Sequence, residues 1–396
     1  MEYKLGEMIA CNPTVKLEKG EKYNLVDIDS IQVGTRYVKG KELQTFEGKS
    51  GCRFQNGDTV MARITPCLEN GKIAQIQCES EKGFGSTELL VFRGIKDKTD
   101  SDYVFSLMST EYIRNLSANS MSGASGRQRA DLSFIKNIKW DFPSLSVQQR
   151  IASILNNYDK LIQNYQKQIE DLQNLAGELY KEWFVRFRFP GHEKATFENG
   201  IPVGWNKEKL THFGKVITGK TPPTEISDYY GEDVMFVKTP DMHNEIYVQQ
   251  TSEYLSQKGS DFQKAQFIPK NSIMVSCIGT GGVVAINAYP AHTNQQINSI
   301  ILDDLTYLPW LYFTIKSMKE TIIMFGNTGT TMTNLSKGKF ERLKVICPKH
   351  GIVNKFESIA MPVFEKLLNL SAEIANLSKQ RDLLLPRLMS GKLEVK

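Results

Sequence analysis

Several features of secreted, metal-binding and membrane proteins are missing from this sequence. Its six cysteines include no C-x-x-C pair, and this spacing argues against both a zinc site and a disulfide scaffold. The first residues contain no apolar signal core, and no stretch is as long as a membrane span. The sequence therefore predicts a protein that stays in the reducing cytoplasm.

Motifs of enzymes that act on DNA are missing as well. An adenine methyltransferase needs an Asn/Asp-Pro-Pro-aromatic motif to hold the flipped base, and the one Pro-Pro pair here follows Thr221. A nuclease of the P-D…[DE]-x-K type could begin at Pro240-Asp241, but no [DE]-x-K follows before residues 394–396. The five histidines show no metal-ligand spacing, and we expect each to be a surface or packing residue. We predict no catalytic residue, metal site or cofactor site in this chain.

The charge of the chain is small and evenly spread. The formal net charge is +5, and residues 1–145 hold 20 basic and 19 acidic side chains. No segment has the composition of a strongly basic nucleic-acid domain. Any contact with DNA must come from local patches, because phosphates are neutralised by cations at the contact surface.

Residues 214–221 match the phosphate-binding pattern G-x-x-x-x-G-K-[ST]. A working P-loop needs a buried strand before the loop and a helix that begins at the Lys-Thr pair. Residues 206–213 contain no apolar run, and the two prolines after Thr221 oppose a helix there. We interpret the segment as an exposed basic loop that could contact a DNA phosphate. The ATPase alternative predicts nucleotide binding that Lys220→Ala abolishes.

The two halves of the chain follow the same order of motifs. Each half predicts a strand, a glycine-containing turn and a second strand, at residues 54–76 and at residues 267–286. A glycine-containing segment follows in each half, and we align residues 123–133 with residues 326–336. Each half then continues to a proline, Pro143 or Pro348, and to a long helix. This order predicts an internal repeat.

Each long helix has apolar residues that recur every seven positions in two registers, which is typical of a coiled-coil seam. Arg381 interrupts the second seam, and Pro386 is expected to end that helix near Leu384. The two matched seams favour pairing of the helices with each other; the alternative is two unrelated amphipathic helices that each face their own domain. The predicted seam consists of Leu155, Tyr158, Ile162, Tyr165, Ile169, Leu172, Leu179, Val363, Leu367, Leu370, Ile374, Leu377 and Leu384.

Several motifs, in the right order, resemble the specificity subunits of type I restriction-modification enzymes over almost the whole chain. They lie at residues 63–72, 83–89, 148–152, 178–184, 200–205, 294–299 and 383–393. Two departures stand out. The first recognition domain starts almost at Met1, with no conserved helix before it. The second helix has Val353-Asn354-Lys355 where the first has Gln148-Gln149-Arg150, so it could meet its partner subunit differently.

The resemblance implies an α/β (α+β) fold with two similar target-recognition domains of mixed sheets. Two long helices, packed as an antiparallel coiled coil, would separate these domains in a pseudo-twofold internal repeat. The implied boundaries are residues 1–145 for the first recognition domain, 146–190 for the central helix, 191–348 for the second recognition domain and 349–396 for the C-terminal helix.

The resemblance also implies a non-catalytic subunit of a DNA-modifying complex. Each recognition domain would read one half of a bipartite double-stranded DNA target, and the helices would space the halves and dock two methyltransferase subunits. S-adenosylmethionine is expected on the methyltransferase subunits, and ATP with Mg²⁺ on separate motor-nuclease subunits. The alternative from another class is a coiled-coil scaffold that pairs two protein-binding domains, which predicts no salt-dependent affinity for DNA.

Base edges are read by side chains with paired donors and acceptors. The group Arg127-Gln128-Arg129 is the strongest candidate, because it combines reach, two charges and an amide. Glu88 could accept from cytosine or pair with a neighbouring cation, and any single candidate could instead be a solvated loop residue or make a turn hydrogen bond. The predicted DNA-binding residues are Arg63, Lys72, Thr87, Glu88, Arg127, Gln128 and Arg129 in the first half, and Lys220, Thr221, Lys238, Thr280, Gln295, Gln296, Thr330 and Thr331 in the second.

Overall fold

The structure is a computed structural model that describes residues 2–48, 51–123, 128–243, 246–327 and 333–395. The chain divides into two compact units. The first unit contains residues 1–165 and 374–396, and the second unit contains residues 166–373. Each unit therefore combines one half of the repeat with parts of both long helices.

The first unit is built around two mixed sheets. Its elements are β1 (Glu2–Lys4), α1 (Leu5–Met8), β2 (Ile9–Cys11), β3 (Lys22–Val26), β4 (Tyr37–Val38), β5 (Leu43–Thr45), β6 (Cys52–Gln55), β7 (Thr59–Ala62), β8 (Ile73–Ile76), β9 (Lys82–Gly85), β10 (Leu89–Gly94), α2 (Ser101–Ser109), α3 (Glu111–Asn119), α4 (Leu132–Asn137), β11 (Lys139–Asp141) and the start of α5 (Leu145–Tyr180). The strand orders are β2-β10-β7-β8-β4 and β5-β3-β9-β6, and β1 pairs with β11. The pairs β3–β9 and β4–β8 are parallel, whereas the other pairs of these sheets are antiparallel.

The local sequence explains the main elements of this unit. Every residue of β7 and β8 is buried, which is why these strands are mostly apolar and do not alternate between apolar and polar residues. The helix α2 begins after Asp100, whose carboxylate accepts from the N–H groups of Asp102 and Tyr103, both at 2.9 Å. An aspartate at this position satisfies N–H groups that have no partner within the helix. The core thus lies between the five-stranded sheet and the helices that follow it.

The second unit repeats this architecture. Its elements are β12 (Phe197–Glu198), β13 (Ile201–Pro202), β14 (Asn206–Lys209), β15 (Gly214–Thr218), β16 (Tyr230–Gly231), β17 (Val234–Val237), β18 (Tyr247–Val248), β19 (Glu253–Leu255), α6 (Gln257–Phe262), β20 (Ile273–Ser276), β21 (Ile278–Gly279), β22 (Val284–Asn287), β23 (Ala291–Thr293), β24 (Ile297–Leu302), α7 (Leu308–Ser317), α8 (Lys319–Gly326), β25 (Thr333–Asn334), α9 (Lys337–Glu341), β26 (Lys344–Cys347) and most of α10 (His350–Met389). The five-stranded sheet has the order β15-β24-β20-β22-β18, and the four-stranded sheet has the order β16-β19-β17-β23. The pairs β14–β26, β12–β13 and β21–β25 complete the unit.

The repeat extends to single hydrogen bonds. The N–H of Arg63 donates to the carbonyl of Glu88 at 2.9 Å, and the N–H of Cys277 donates to the carbonyl of Gln296 at 2.7 Å. Each donor lies directly after the central strand, β7 or β20, and each acceptor lies directly before the neighbouring strand, β10 or β24. Glu88 and Gln296 therefore occupy the same position in the two units.

The alignment of residues 123–133 with residues 326–336 is wrong by two positions. It places Ala130 opposite Thr333, but the N–H of Ala130 donates to the carbonyl of Arg63, and the N–H of Leu335 donates to that of Cys277. Since Arg63 and Cys277 correspond, Ala130 corresponds to Leu335. The sequence alone gives this match if residues are counted back from the corresponding prolines, because Ala130 and Leu335 lie equally far before Pro143 and Pro348.

The two long helices pack against each other in both units. In the first unit, Leu155 near the start of α5 shares a core with Leu388 near the end of α10. In the second unit, the ring of Phe356 near the start of α10 lies 5.0 Å from that of Phe184, just after the end of α5. The helices are antiparallel within each unit. Every residue of the predicted seam is buried or half-buried.

Arg381, which interrupts the apolar seam, pairs with a buried carboxylate on the other helix. Its Nη1 lies 2.8 Å from Oδ1 of Asp159, whose side chain is 4% exposed. Arg36, which precedes β4 and is also buried, approaches the other oxygen of Asp159 at 3.1 Å. We call Arg36, Asp159 and Arg381 the helix-base cluster. Its ion pairs connect α5, α10 and the segment before β4.

The expectation that Pro386 ends α10 near Leu384 is wrong, because the helix continues to Met389. A proline inside a helix removes one hydrogen bond and strains the preceding turn. Here the following residues Leu388 and Met389 are buried at 2% and 5% exposure. Burial of two large apolar side chains contributes about 3–6 kcal/mol, which offsets the cost of about 3 kcal/mol.

Candidate nucleic-acid interface

Candidate DNA-reading residues of the first unit meet where the sheets end. Arg63 follows β7, and Glu88 precedes β10. Arg129 forms antiparallel bridges with Ile64 and with Ser122, so it lies beside them. The structure thus brings together three candidates from distant parts of the sequence. We call Arg63, Glu88, Gln128 and Arg129 the first strand-end cluster.

Glu88 and Arg129 form a bidentate ion pair. The Nε of Arg129 lies 3.0 and 2.9 Å from the two carboxylate oxygens, and its Nη2 lies 2.7 Å from Oε1. The hydrogen bonds and charge of Arg129 lower the pKa of Glu88, and those of Glu88 raise the pKa of Arg129. Both groups are therefore charged at neutral pH. The side chains are 21% and 45% exposed, so solvent reaches the pair.

Arg63 and Gln128 are held by the backbone around this pair. The Nη2 of Arg63 donates to the carbonyl of Ala130 at 3.1 Å, and its Nε is buried without a hydrogen-bond partner among the described residues. The carbonyl of Gln128 accepts from the N–H of Thr65 at 3.0 Å. Arg127, the remaining member of the strongest predicted group, lies outside the described residues. The residues on both sides of Arg129 are thus hydrogen-bonded to the segment that follows β7.

Lys72 and Thr87 differ in their surroundings. The Nζ of Lys72 donates to the carbonyl of Ile28 at 2.9 Å and lies 4.0 Å from the carboxylate of Asp29. These contacts hold the segment after β3. Thr87 is exposed and sits next to Glu88, so its hydroxyl lies at the edge of the first strand-end cluster.

In the second unit, the backbone at Gly219 brings Lys220 and Thr221 close to Gln295. A Cβ on Gly219 would lie 2.2 Å from the carbonyl oxygen of Thr293, so only glycine allows this approach. The hydroxyl of Thr221 then donates to Oε1 of Gln295 at 2.5 Å. The ammonium of Lys220 is exposed and lies 4.8 Å from the ring centroid of Phe262. We call Lys220, Thr221, Gln295 and Gln296 the second strand-end cluster.

Gln296 and Lys238 both have partners within the fold. The Oε1 of Gln296 accepts from the hydroxyl of Thr239 at 3.3 Å and from Nδ2 of Asn294 at 3.2 Å. The ammonium of Lys238 bonds to the carboxylate of Glu253, which neutralises its charge. Gln296 is thus oriented by its neighbours, and Lys238 is a weaker candidate for a phosphate contact.

The remaining candidates of the second unit lie at the far end of β21 and beyond. Thr280 is exposed, and its carbonyl accepts from the hydroxyl of Ser276 at 2.5 Å. Thr330 and Thr331 lie outside the described residues.

Asn334 is a candidate that sequence reasoning missed. It is exposed and pairs with Ile278 in β25–β21, as Arg129 pairs with Ile64 in the first unit. The two-residue error in the alignment placed Met332 there instead. Fixed spacing to the prolines would have identified Asn334.

The P-loop pattern at residues 214–221 does not form a phosphate cradle. Gly214 begins β15, which pairs with β24. After Thr221, the next helical residues are a short 3₁₀ turn at Ser227–Tyr229. No helix N-terminus therefore meets Lys220 in this described segment. The interpretation as an exposed loop holds for Lys220, but it is wrong for residues 214–218, which form β15 with Gly214, Val216 and Ile217 buried.

The sequence matches the family model described as "Type I restriction modification DNA specificity domain" at residues 1–174 and again at residues 202–374. The chain belongs to this family. The double match mirrors the repeat in the structure, and the predicted resemblance is confirmed. As a specificity subunit, the chain is non-catalytic, and the catalytic activity of such systems lies in partner subunits.

Similar proteins match most or nearly all of the chain. The HindI specificity subunit of Haemophilus influenzae is 28% identical, and the alignment covers 99% of each chain. The MjaIX specificity subunit of Methanocaldococcus jannaschii is 28% identical over 77% of this chain and 72% of its own. Both relatives are named as specificity subunits of type I restriction enzymes.

A solved structure confirms the predicted fold class. The S subunit of a type I restriction-modification system from M. genitalium superposes with a TM-score of 0.57, covering 98% of this chain and 96% of its own. Its sequence identity is 14%, so the likeness concerns the fold alone. Among the helices that the structure describes, including α5 and α10, none has the length and apolar composition to traverse a lipid bilayer.

Proposed function

We propose that this specificity subunit reads a bipartite double-stranded DNA target, one half with each strand-end cluster. The observation that carries the proposal is the repeat of base-reading side chains at matched positions of two similar sheets. Arginine, glutamine, asparagine and glutamate at such ends are suited to base edges in the major groove. Family membership supports DNA recognition, and the geometry of the clusters supports two separate reading surfaces.

The proposal assigns a role to each part of the chain. Residues 1–145 and 191–348 are the two recognition domains. Residues 146–190 and 349–396 form the helices that space them and dock two methyltransferase subunits. The proposed site residues are those named from the sequence, together with Asn334. S-adenosylmethionine belongs to the methyltransferase subunits, and ATP with Mg²⁺ to motor-nuclease subunits, in a complex that works in the cytoplasm.

A titration of the complex with DNA tests this proposal. The target is first identified by mapping methylated adenines in a genome that expresses this chain with its methyltransferase subunits. Affinity for that target is then measured at several salt concentrations, since neutralised phosphates give a negative salt slope. We expect Arg129→Ala to weaken binding roughly tenfold. The substitution removes the bidentate contact of the guanidinium with DNA and leaves the Glu88 carboxylate facing DNA without its cationic partner. Adding Arg127→Ala should weaken it further.

The matched control is Lys258→Ala, which removes an exposed cation outside both strand-end clusters. This variant should bind within about twofold of the unaltered complex. If the complex shows no bipartite methylated motif and no salt-dependent affinity, the scaffold alternative replaces the proposal.

A further inference from the structure

We propose that the matched pairs Glu88–Arg129 and Gln296–Asn334 read different base pairs at corresponding steps of the two half-sites. The first pair would read G·C, and the second would read A·T. This inference rests on the proposed function and adds the base chemistry that each half-site must contain.

The backbone fixes the correspondence of the two pairs. Glu88 and Gln296 each offer a carbonyl to the residue after the central strand, at 2.9 and 2.7 Å. Arg129 and Asn334 are each paired across from the next residue, Ile64 or Ile278. The side chains therefore start from equivalent backbone positions, although their chemistry differs completely. One unit has a carboxylate and a guanidinium, and the other has two amides.

In the first unit, the pair has one group for each base of a G·C pair. A guanidinium donates to O6 and N7 of guanine, and a carboxylate accepts from N4 of cytosine. Arg129 and Glu88 are in contact at 2.7–3.0 Å, which places the two groups side by side, as the two bases of one pair are. The carboxylate would repel the O4 acceptor of thymine, so an A·T pair is disfavoured.

In the second unit, the amides suit an A·T pair. An asparagine or glutamine can both accept from N6 and donate to N7 of adenine. Asn334 is exposed, and the Oε1 of Gln296 already accepts from Thr239 and Asn294. With its oxygen engaged, Gln296 offers its amide nitrogen as a donor, which suits O4 of thymine. Neither amide carries a charge that would favour guanine over adenine.

The competing explanation is purely structural. The Glu88–Arg129 ion pair could serve only to fasten residues 128–130 to the loop before β10. In that case, replacement of both residues would change affinity or stability but would leave the base preference of the first half-site unchanged. Base preference is therefore the readout that separates the two explanations.

The experiment exchanges the two pairs between the units. The first variant carries Glu88→Gln and Arg129→Asn, and the second carries Gln296→Glu and Asn334→Arg. Each is purified with its methyltransferase subunits, and bound duplexes are selected from a library randomised over both half-sites. We expect the first variant to change the preference at one step of the first half-site from G·C to A·T, by about tenfold or more. The second variant should make the reverse change in the second half-site.

The control variant carries Asp228→Asn and Lys258→Asn, which removes an exposed ion pair of 2.9 Å outside the clusters. It leaves the net charge unchanged, as the exchanges do, and should select the same duplexes as the unaltered complex. If one exchange variant fails to assemble, the other still tests the inference in its own half-site. If neither assembles, selection with the unaltered complex decides, because a first half-site that specifies no G·C pair overturns the inference.

The outcomes separate this inference from the proposed function. Both exchange variants could select a bipartite target with the same base preferences as the unaltered complex. That result would overturn the inference and leave the proposed function standing. If the unaltered complex selects no bipartite target at all, the proposed function itself is overturned. A preference that changes in the altered half-site alone supports both.

Discussion

His292 is a fully buried side chain in β23 of the second unit. Its Nε2 lies 2.8 Å from the hydroxyl of Ser260, which is in α6. Burial disfavours the charged ring and lowers its pKa to about 4. The ring is therefore neutral in the folded protein at neutral pH, and it links α6 to the four-stranded sheet.

This histidine predicts an acid-sensitive second unit. In the unfolded chain its pKa is about 6.5, so below that pH the unfolded state binds more protons and stability falls as the pH is lowered. Between pH 7 and pH 5 the loss should be about 2 kcal/mol. We expect His292→Gln to reduce this dependence, measured by urea unfolding at several pH values. The exposed His243 offers the control, since His243→Gln should leave the pH dependence of stability as it is. If the free energy of unfolding of His292→Gln changes with pH as steeply as that of the unaltered protein, His292 is excluded as the source of acid sensitivity.

Gln148 shows why the role of a motif residue cannot be taken from the motif. Its side chain accepts from the N–H of Asp100 and donates to the carbonyls of Lys98 and Pro143, at 3.0–3.1 Å. It is fully buried, and so is Val353 at the matched position of α10. The difference between the two helices at this position thus concerns packing against their own domains. Sequence could locate the motif but not the direction in which its side chain points.

At the scale of elements, the helix-base cluster places one charged contact between α5 and α10. A polar contact at one position of an apolar seam can fix register at a cost in stability. Asp159 has two cationic partners, Arg36 and Arg381, and its side chain is 4% exposed. Without the charge of Asp159, Arg36 keeps only the more exposed Asp102 and Arg381 only the exposed Asp382 as carboxylate partners. The cluster therefore makes the helix pairing sensitive to one carboxylate.

We predict that Asp159→Asn destabilises the first unit by about 3 kcal/mol, because removing the buried partner of an ion pair leaves buried cationic charge with less compensation. Native-state hydrogen exchange resolved by residue measures this loss in β7 and β8. Asp382→Asn is the matched control: this carboxylate also contacts Arg381, but its side chain is 62% exposed. Its effect should be below about 1 kcal/mol. Equal losses of stability in Asp159→Asn and Asp382→Asn would contradict the role assigned to the buried Asp159.

The sequence predicted the long helices better than the strands. Heptad spacing gave both helices, because a seam repeats over many residues. Many strands here have only two to four residues, such as β4 and β21, and such short segments carry little periodic signal. Pro386 misled for a different reason: a propensity argument does not include the burial of Leu388 and Met389. Tertiary packing decided the end of that helix.

The candidate site was predictable in residue type and in approximate place. Arg63, Glu88 and Arg129 were named from the sequence, but their convergence depends on strand pairing, which no local pattern fixes. Asn334 was missed because the alignment of the second loop was shifted. The partners of Lys72 and Lys238 could not be foreseen either, because a carbonyl or carboxylate from a distant segment supplies each.

At the scale of the whole molecule, the first unit is completed by a distant segment of the chain, whereas the second unit is continuous. The core of the first unit includes Leu388 and Met389 from the end of α10. Their burial contributes about 3–6 kcal/mol, which is a large part of the stability of an ordinary domain. The proposed DNA-binding residues of the first unit therefore depend on a helix end that lies more than 200 residues later in sequence.

We predict that truncation after Glu373 unfolds the first unit and spares the second, whose residues 166–373 all remain. Hydrogen exchange should show lost protection in β7 and β8 and retained protection in β20 and β22. As the control, removal of residues 392–396 alone should keep protection in both units, because that truncation leaves Leu388 and Met389 in place. Retained protection of β7 after the longer truncation would contradict the role of α10 in this core.

The late position of those core residues affects how the protein is made. A ribosome that adds about 5–20 residues per second needs roughly 10–40 s to go from residue 165 to residue 374. During that interval the N-terminal half is outside the tunnel with part of its apolar surface uncovered, while the residues of the middle are still being added. Newly made chains are therefore expected to depend on chaperones until their last helix emerges.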